Sequence, residues 1–195
     1  MTQEQRQRMF KESVKTLDDL VDLINIRKKT GQVSNEFNQF YLFILLLICD
    51  AHVLIKLYCK ADQRWEEIFL VKQMYIFINE STKKIIGFEK ETENLKNKIY
   101  WNEKLRMFVG EQYPSLLPEF EKISNILIAY RDNDSQDDIW DLRKLAVHYD
   151  KELDTENYFK TLNEMNVDDS FQHFCKWLGI IYPLLHFAQK IITSK

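Results

Sequence analysis

The sequence contains few of the two residues that are most common in turns between β-strands, with four Gly and three Pro among 195 residues. Tight turns between strands use glycine for positive φ and proline for a fixed φ, so this scarcity argues against a sheet-rich fold. The sequence also has no large excess of positive or negative residues, because its formal net charge is −3. A protein that coats nucleic acid non-specifically needs a broad basic surface, and this class is therefore disfavoured.

Cysteine pairs and long apolar runs are scarce as well. Cys49, Cys59 and Cys175 stand in apolar stretches without short paired spacing, which favours reduced, buried thiols in a reducing compartment. The first eight residues are polar and show no export signal. The most apolar run, residues 40–48, is followed by Asp50 and falls short of the roughly 18 apolar residues of a membrane span. We predict a cytoplasmic protein that does not use a membrane.

Apolar residues spaced three and four apart predict helices along most of the chain. The first helix covers about residues 4–29 and has one apolar face. That face comprises Phe10, Val14, Leu17, Val21 and Ile24. The second helix, capped by Ser34 or Asn35, ends near Lys60 and is apolar almost all round, so it is expected to form the core. Gly87 is expected to end the third.

The second half of the chain continues the helical pattern. The fourth helix is expected to end at Gly110, and Pro118 suits the first position of the fifth, where an N–H would be unpaired anyway. A short helix follows an acidic loop, another starts at Thr155, and the last is expected to be capped within residues 168–170. No repeat or linker divides the chain. The sequence thus predicts one all-helical domain over residues 1–195, a bundle of about seven to eight helices.

One segment, residues 142–150, combines a cation and an imidazole in the order Leu-Arg-Lys-Leu-Ala-Val-His-Tyr-Asp. Arg143 and His148 would point about 140° apart on an uninterrupted helix. If the helix ends near Val147, as the polar residues that follow suggest, His148 can turn back toward the guanidinium. The two side chains would then converge.

Arginine and histidine together suit the cleavage of a phosphodiester. The Arg143 guanidinium offers a permanent positive charge and a planar donor fork for phosphate, and the His148 imidazole gives and takes protons near neutral pH. In RNA the neighbouring 2′-hydroxyl can be the attacking group. Such a site needs only acid–base help and stabilisation of charge on the phosphorane, so the pattern predicts neither a metal nor another cofactor.

This Arg-x4-His segment, late in a helical chain, resembles the signature of the HEPN superfamily. The resemblance implies a helical bundle that often dimerises by apposing two copies of the motif, which forms a composite, metal-independent endoribonuclease site. It implies Arg143 and His148 as catalytic residues, with Lys144 and Tyr149 as auxiliary phosphate-binding residues. It further implies a homodimer, an RNA substrate, and a role in toxin–antitoxin or antiviral systems with an antitoxin or nucleotidyltransferase partner.

A structural interpretation of the same segment stays open. Arg143 could pair with Asp141 or Glu152 on the surface while His148 ends a helix, where a positive charge is favourable. The chain would then be a non-catalytic helical module that uses this surface to dimerise or to hold a partner.

Other polar groups give weaker patterns. The acidic loop 132–137 lacks the Gly and the Glu that a calcium loop needs. The pair His173 and Cys175 has too few companions for a zinc site, which favours packing. His52, on the apolar second helix, is expected to be a hydrogen-bonded core histidine.

The aromatic residues stand at helical spacings that favour core packing, although an exposed subset could stack RNA bases. Those weighed for this role are Trp65, Tyr75, Trp101, Trp140 and Trp177.

Overall fold

The computed structural model describes residues 1–29, 36–87, 101–132 and 155–193. These ranges form seven α-helices and one 3-10 turn, and they contain no strand. The prediction of an all-helical bundle is therefore confirmed. The helices are α1 (Gln3–Lys29), α2 (Glu36–Lys60), α3 (Arg64–Ile86), α4 (Trp101–Gln112), α5 (Leu117–Arg131), α6 (Thr155–Glu164) and α7 (Val167–Thr193), with the 3-10 turn at Pro114–Leu116.

The helices enclose one hydrophobic core. α1 packs along α2, and α7 packs against α2, α3 and α5. α3 is the most enclosed helix, because it also contacts α4 and α5 and buries residues on most of its circumference. The largest fully buried side chains belong to four different helices, and they include Trp177, Tyr58, Phe40, Phe120, Phe174 and Met74.

α2 forms part of the core as predicted, although its apolar residues are not buried on every side. One side of this helix forms the core through residues such as Phe40, Ile44 and Ile48. The opposite side remains open to solvent, where Leu46 is 52% exposed and Leu57 is 45% exposed. Periodicity could not distinguish the two sides, because both carry apolar residues.

α2 is also the one helix among the described residues that is long and apolar enough to cross a membrane. Within Phe37–Lys60 the most apolar window of 18 residues has a mean hydropathy of 2.1, and half of that window is buried inside the protein. Core helices of soluble proteins have the same length and composition.

The helix ends follow the predicted signals in part. Gly87 ends α3 as expected, with φ 81° and its N–H donated to the carbonyl of Lys83, a conformation that favours glycine. Gly110 does not end α4, which continues to Gln112. The cap of α7 is Asn166 rather than a residue of 168–170, since its side-chain oxygen accepts the N–H of Asp169 at 3.3 Å.

Candidate functional site

The segment with the strongest functional pattern lies outside the described residues, and this includes Arg143, Lys144, His148 and Tyr149. The described residues on its two sides are well anchored. Arg131, at the end of α5, donates to the carbonyl of Ile86 at 3.1 Å, whereas the Phe159 ring of α6 meets the Trp65 ring edge-on at 6.1 Å. Ile86 and Trp65 stand at opposite ends of α3. The described residues that flank the motif in sequence thus contact opposite ends of the central helix.

A polar stripe runs along the buried side of α3. It consists of Lys72, Tyr75, Asn79 and Thr82, each no more than 8% exposed. Thr82 accepts the indole N–H of Trp177 at 3.2 Å, and the Asn79 amide nitrogen finds no hydrogen-bond partner among the described residues. The sequence analysis missed this stripe. Its signal was the spacing of three and four between polar residues at positions 72, 75, 79 and 82.

His173 of α7 meets this stripe. The Tyr130 hydroxyl lies 2.8 Å from His173 Nε2, and the Tyr75 and His173 rings are 6.2 Å apart. Burial, and then the charge of Lys176, lowers the pKa of His173. Burial, and then Tyr75, raises the pKa of Tyr130 well above its usual range. Both groups are thus neutral at neutral pH, and their hydrogen bond ties the end of α5 to α7.

A second buried histidine joins three helices. His52 of α2 is 8% exposed, and its ring nitrogens lie 3.2 Å from the Ser13 hydroxyl of α1 and 2.6 Å from the Tyr182 hydroxyl of α7. The prediction of a hydrogen-bonded core histidine is confirmed. Both of its ring nitrogens are engaged within the bundle, so His52 holds helices together.

These two histidines make stability depend on pH. Burial lowers the pKa of both His52 and His173 in the folded protein, whereas in the unfolded chain an imidazole titrates near pH 6.5. The unfolded state therefore binds more protons as the pH falls through that value, and the free energy of unfolding decreases. We expect urea-unfolding midpoints to fall between pH 7.5 and 5.5.

The matched variants are His52→Gln and His186→Gln. The His52→Gln variant is expected to lose part of the pH dependence, whereas the change at His186, which is exposed on α7, is expected to leave the slope unchanged. An equal slope in wild type and His52→Gln would contradict this assignment.

The three cysteines are free and only partly buried, whereas the sequence predicted buried thiols. Burial is the main cause that raises the pKa of the Cys49 and Cys59 thiols. Burial, with a smaller contribution from Cys59, raises the pKa of Cys175 to about 11. A raised pKa disfavours the reactive thiolate. Within the described ranges no three His, Cys, Asp or Glu residues are grouped as a metal would require.

Charged residues gather where the ends of four helices meet. Arg6 of α1 pairs with Glu67 of α3 and donates to the carbonyl of Ala61 at 3.0 Å. The Tyr58 hydroxyl of α2 donates to Asp168 of α7 at 3.2 Å. Each of these charged groups is satisfied by another helix, so the cluster fastens the helix ends together.

The aromatic groove is an open surface formed by the end of α2 and the start of α3. Its volume is about 480 Å³, and its lining residues are Leu57, Lys60, Ala61, Trp65, Glu66, Phe69 and Leu70. Trp65 is 50% exposed and Phe69 is 58% exposed. The expectation of core packing holds for Tyr75 and Trp177, which are buried, and fails for Trp65. Trp140 lies outside the described residues.

Comparison of the chain with models of protein families, with curated proteins and with solved structures finds no match. The functional interpretation therefore depends on the chemistry of residues 142–150 and on the surfaces of the helical bundle.

Proposed function

We propose that this protein is a metal-independent endoribonuclease of the HEPN type. The observation that carries the proposal is the Arg-x4-His segment with Arg143 and His148 in a chain whose described residues form a helical bundle. The Arg-x4-His spacing and an all-helical context are the two features that the resemblance to the superfamily requires. The proposal includes a homodimer, an RNA substrate and a role as a toxin or antiviral component.

The proposed reaction is a transesterification within the RNA strand. His148 takes the proton of a 2′-hydroxyl, whose oxygen attacks the adjacent phosphorus, and Arg143 stabilises the negative charge of the phosphorane. The bond to the 5′-oxygen then breaks, and a histidine returns a proton to that oxygen. The products are a 2′,3′-cyclic phosphate and a 5′-hydroxyl. Lys144 and Tyr149 would hold neighbouring phosphates.

The test is incubation of purified protein with RNA in EDTA, with the product ends identified. We expect cleavage that leaves cyclic phosphates, and no cleavage of the same strand with 2′-deoxy sugars, because the nucleophile is then missing. Cleavage of the deoxy strand, or complete dependence on a divalent cation, would contradict the proposed chemistry.

A non-catalytic interaction module is the second candidate function. The aromatic groove favours it, because Trp65 and Phe69 are half exposed or more, whereas Trp and Phe side chains are mostly buried in folded proteins. On this alternative the protein keeps its bundle and binds partners without cleaving RNA, and the EDTA experiment gives no products with either strand.

A further inference from the structure

The exposed side of α2 carries a stripe of residues at alternating spacings of three and four. We call this stripe the α2 seam, and it comprises Gln39, Leu46, Asp50, Val53 and Leu57. Two further residues continue it but also contact other helices, since the Phe43 ring stacks on Trp101 of α4 and the Lys60 ammonium lies over the Phe10 ring of α1. Leu46, Val53 and Leu57 are 52%, 39% and 45% exposed. Residues spaced alternately three and four apart lie on one side of a helix, and two helices pack along such sides in coiled coils. The other sides of α2 pack on α1, α3, α4 and α7, whereas Leu46, Asp50, Val53 and Leu57 are exposed.

Asp50 is the only acidic residue of the seam. Partial burial raises the pKa of its carboxyl group, and no ion pair involves Asp50 in the described part of the chain. A carboxylate flanked by Leu46 and Val53 on an apolar face is poorly matched to a purely apolar partner, because covering it without a cation costs free energy. The partner of this face therefore combines apolar side chains with a basic group at the level of Asp50.

α2 itself supplies such a surface. We infer that the α2 seam binds the α2 seam of a second copy of this chain, antiparallel about a two-fold axis. The alignment that sets Leu46 opposite Leu57 of the partner subunit also sets Asp50 opposite Val53 of the partner subunit. Lys56 of the partner subunit lies about one turn further along, within reach of the Asp50 carboxylate. Symmetry makes each contact occur twice.

The aromatic groove extends this interface. It adjoins Leu57 and Lys60 at the carboxyl end of the seam, and in the antiparallel arrangement the amino-terminal half of the second α2 lies beside it. A standard interface covers about 800 Å² on each subunit, more than one helix face offers. Trp65 and Phe69 supply further apolar area next to the carboxyl end of the seam.

This interface does not depend on the proposed ribonuclease activity. The HEPN resemblance implies a dimer in which copies of residues 142–150 are apposed, whereas the seam is formed by α2. Measurements of association thus test the seam separately from any measurement of RNA cleavage.

The experiment is analytical ultracentrifugation of the full chain over a range of concentrations, with three charge variants. Asp50→Lys sets a lysine against Lys56 of the partner subunit, and Lys56→Asp sets an aspartate against Asp50 of the partner subunit. Each single substitution creates two like-charge contacts by symmetry, so we expect the dimer dissociation constant to rise at least tenfold. The double variant Asp50→Lys, Lys56→Asp exchanges the charges and is expected to restore association.

Lys122→Asp is the matched control, since Lys122 is exposed on α5 and α5 packs against α3, α4 and α7. It is expected to leave the dissociation constant unchanged, and circular dichroism verifies that every variant is folded. A wild-type protein that stays monomeric at all concentrations overturns the proposal. A dimer that is indifferent to both single substitutions, or a double variant no better than the singles, also overturns it.

Discussion

Replacing His148 with Ala is expected to slow RNA cleavage by about 10²- to 10⁴-fold, the usual contribution of a positioned acid–base group. Arg143→Ala is expected to cost about 10²- to 10³-fold, because the phosphorane loses its main charge-stabilising donor. Arg143→Lys keeps the charge and loses the planar fork, so its rate should fall between wild type and Arg143→Ala. Single-turnover rates in EDTA measure all three effects.

The controls for these rates are Arg8→Ala and His186→Ala. Both residues are exposed, and Arg8 forms a surface pair with Glu12 at 3.8 Å. Their rates should match wild type, as should the circular dichroism of all five variants. Wild-type cleavage by both His148→Ala and Arg143→Ala would exclude this pair as the catalytic site.

The pH dependence of cleavage separates the two catalytic roles. An imidazole that takes and returns protons makes the rate depend on pH near neutrality, whereas a guanidinium keeps its charge throughout that range. Arg143→Ala should therefore lower the rate and keep the shape of the pH profile, while His148→Ala should flatten it. A flattened profile in the Arg143 variant instead would reverse the assigned roles.

Local signals predicted helix ends where one residue decides the conformation. Gly87 was predictable because the positive φ that ends α3 is a property of the backbone at that position. Gly110 was not, since glycine inside a helix costs only about 1 kcal/mol relative to alanine. The helix around Gly110 is held by the burial of Leu105 and Val109, and Val109 accepts the N–H of Tyr113 beyond it.

The side of each helix that meets its neighbours was harder to predict. Val21 was placed on the apolar face of α1, yet it is 47% exposed, while Ser13 is 2% exposed. The reason is that Ser13 meets His52 of α2, a contact between residues 39 positions apart. The burial of the polar stripe of α3 could not be predicted for the same reason, because the residues that it contacts in α5 and α7 are distant in sequence.

A comparison of two tryptophans tests how much a buried ring and an exposed ring each contribute to the free energy of unfolding. Trp177 is fully buried, hydrogen-bonded to Thr82, and 5.4 Å from the Phe77 ring. Its replacement by Ala removes a large side chain from a packed site and leaves a cavity, so we expect a loss of about 3 to 5 kcal/mol in the free energy of unfolding. The same change at Trp65, which is half exposed, should cost about 1 kcal/mol or less.

Urea unfolding followed by circular dichroism measures both losses, at dilutions where the protein is monomeric. The dilution matters because Trp65 lines the aromatic groove, and any association through that groove would add to the stability of wild type. Since the same atoms are deleted in both variants, the difference between them reports the packing around each ring. Equal losses would mean that the surface around Trp65 is covered in the monomer, and the groove would then not be available to a partner.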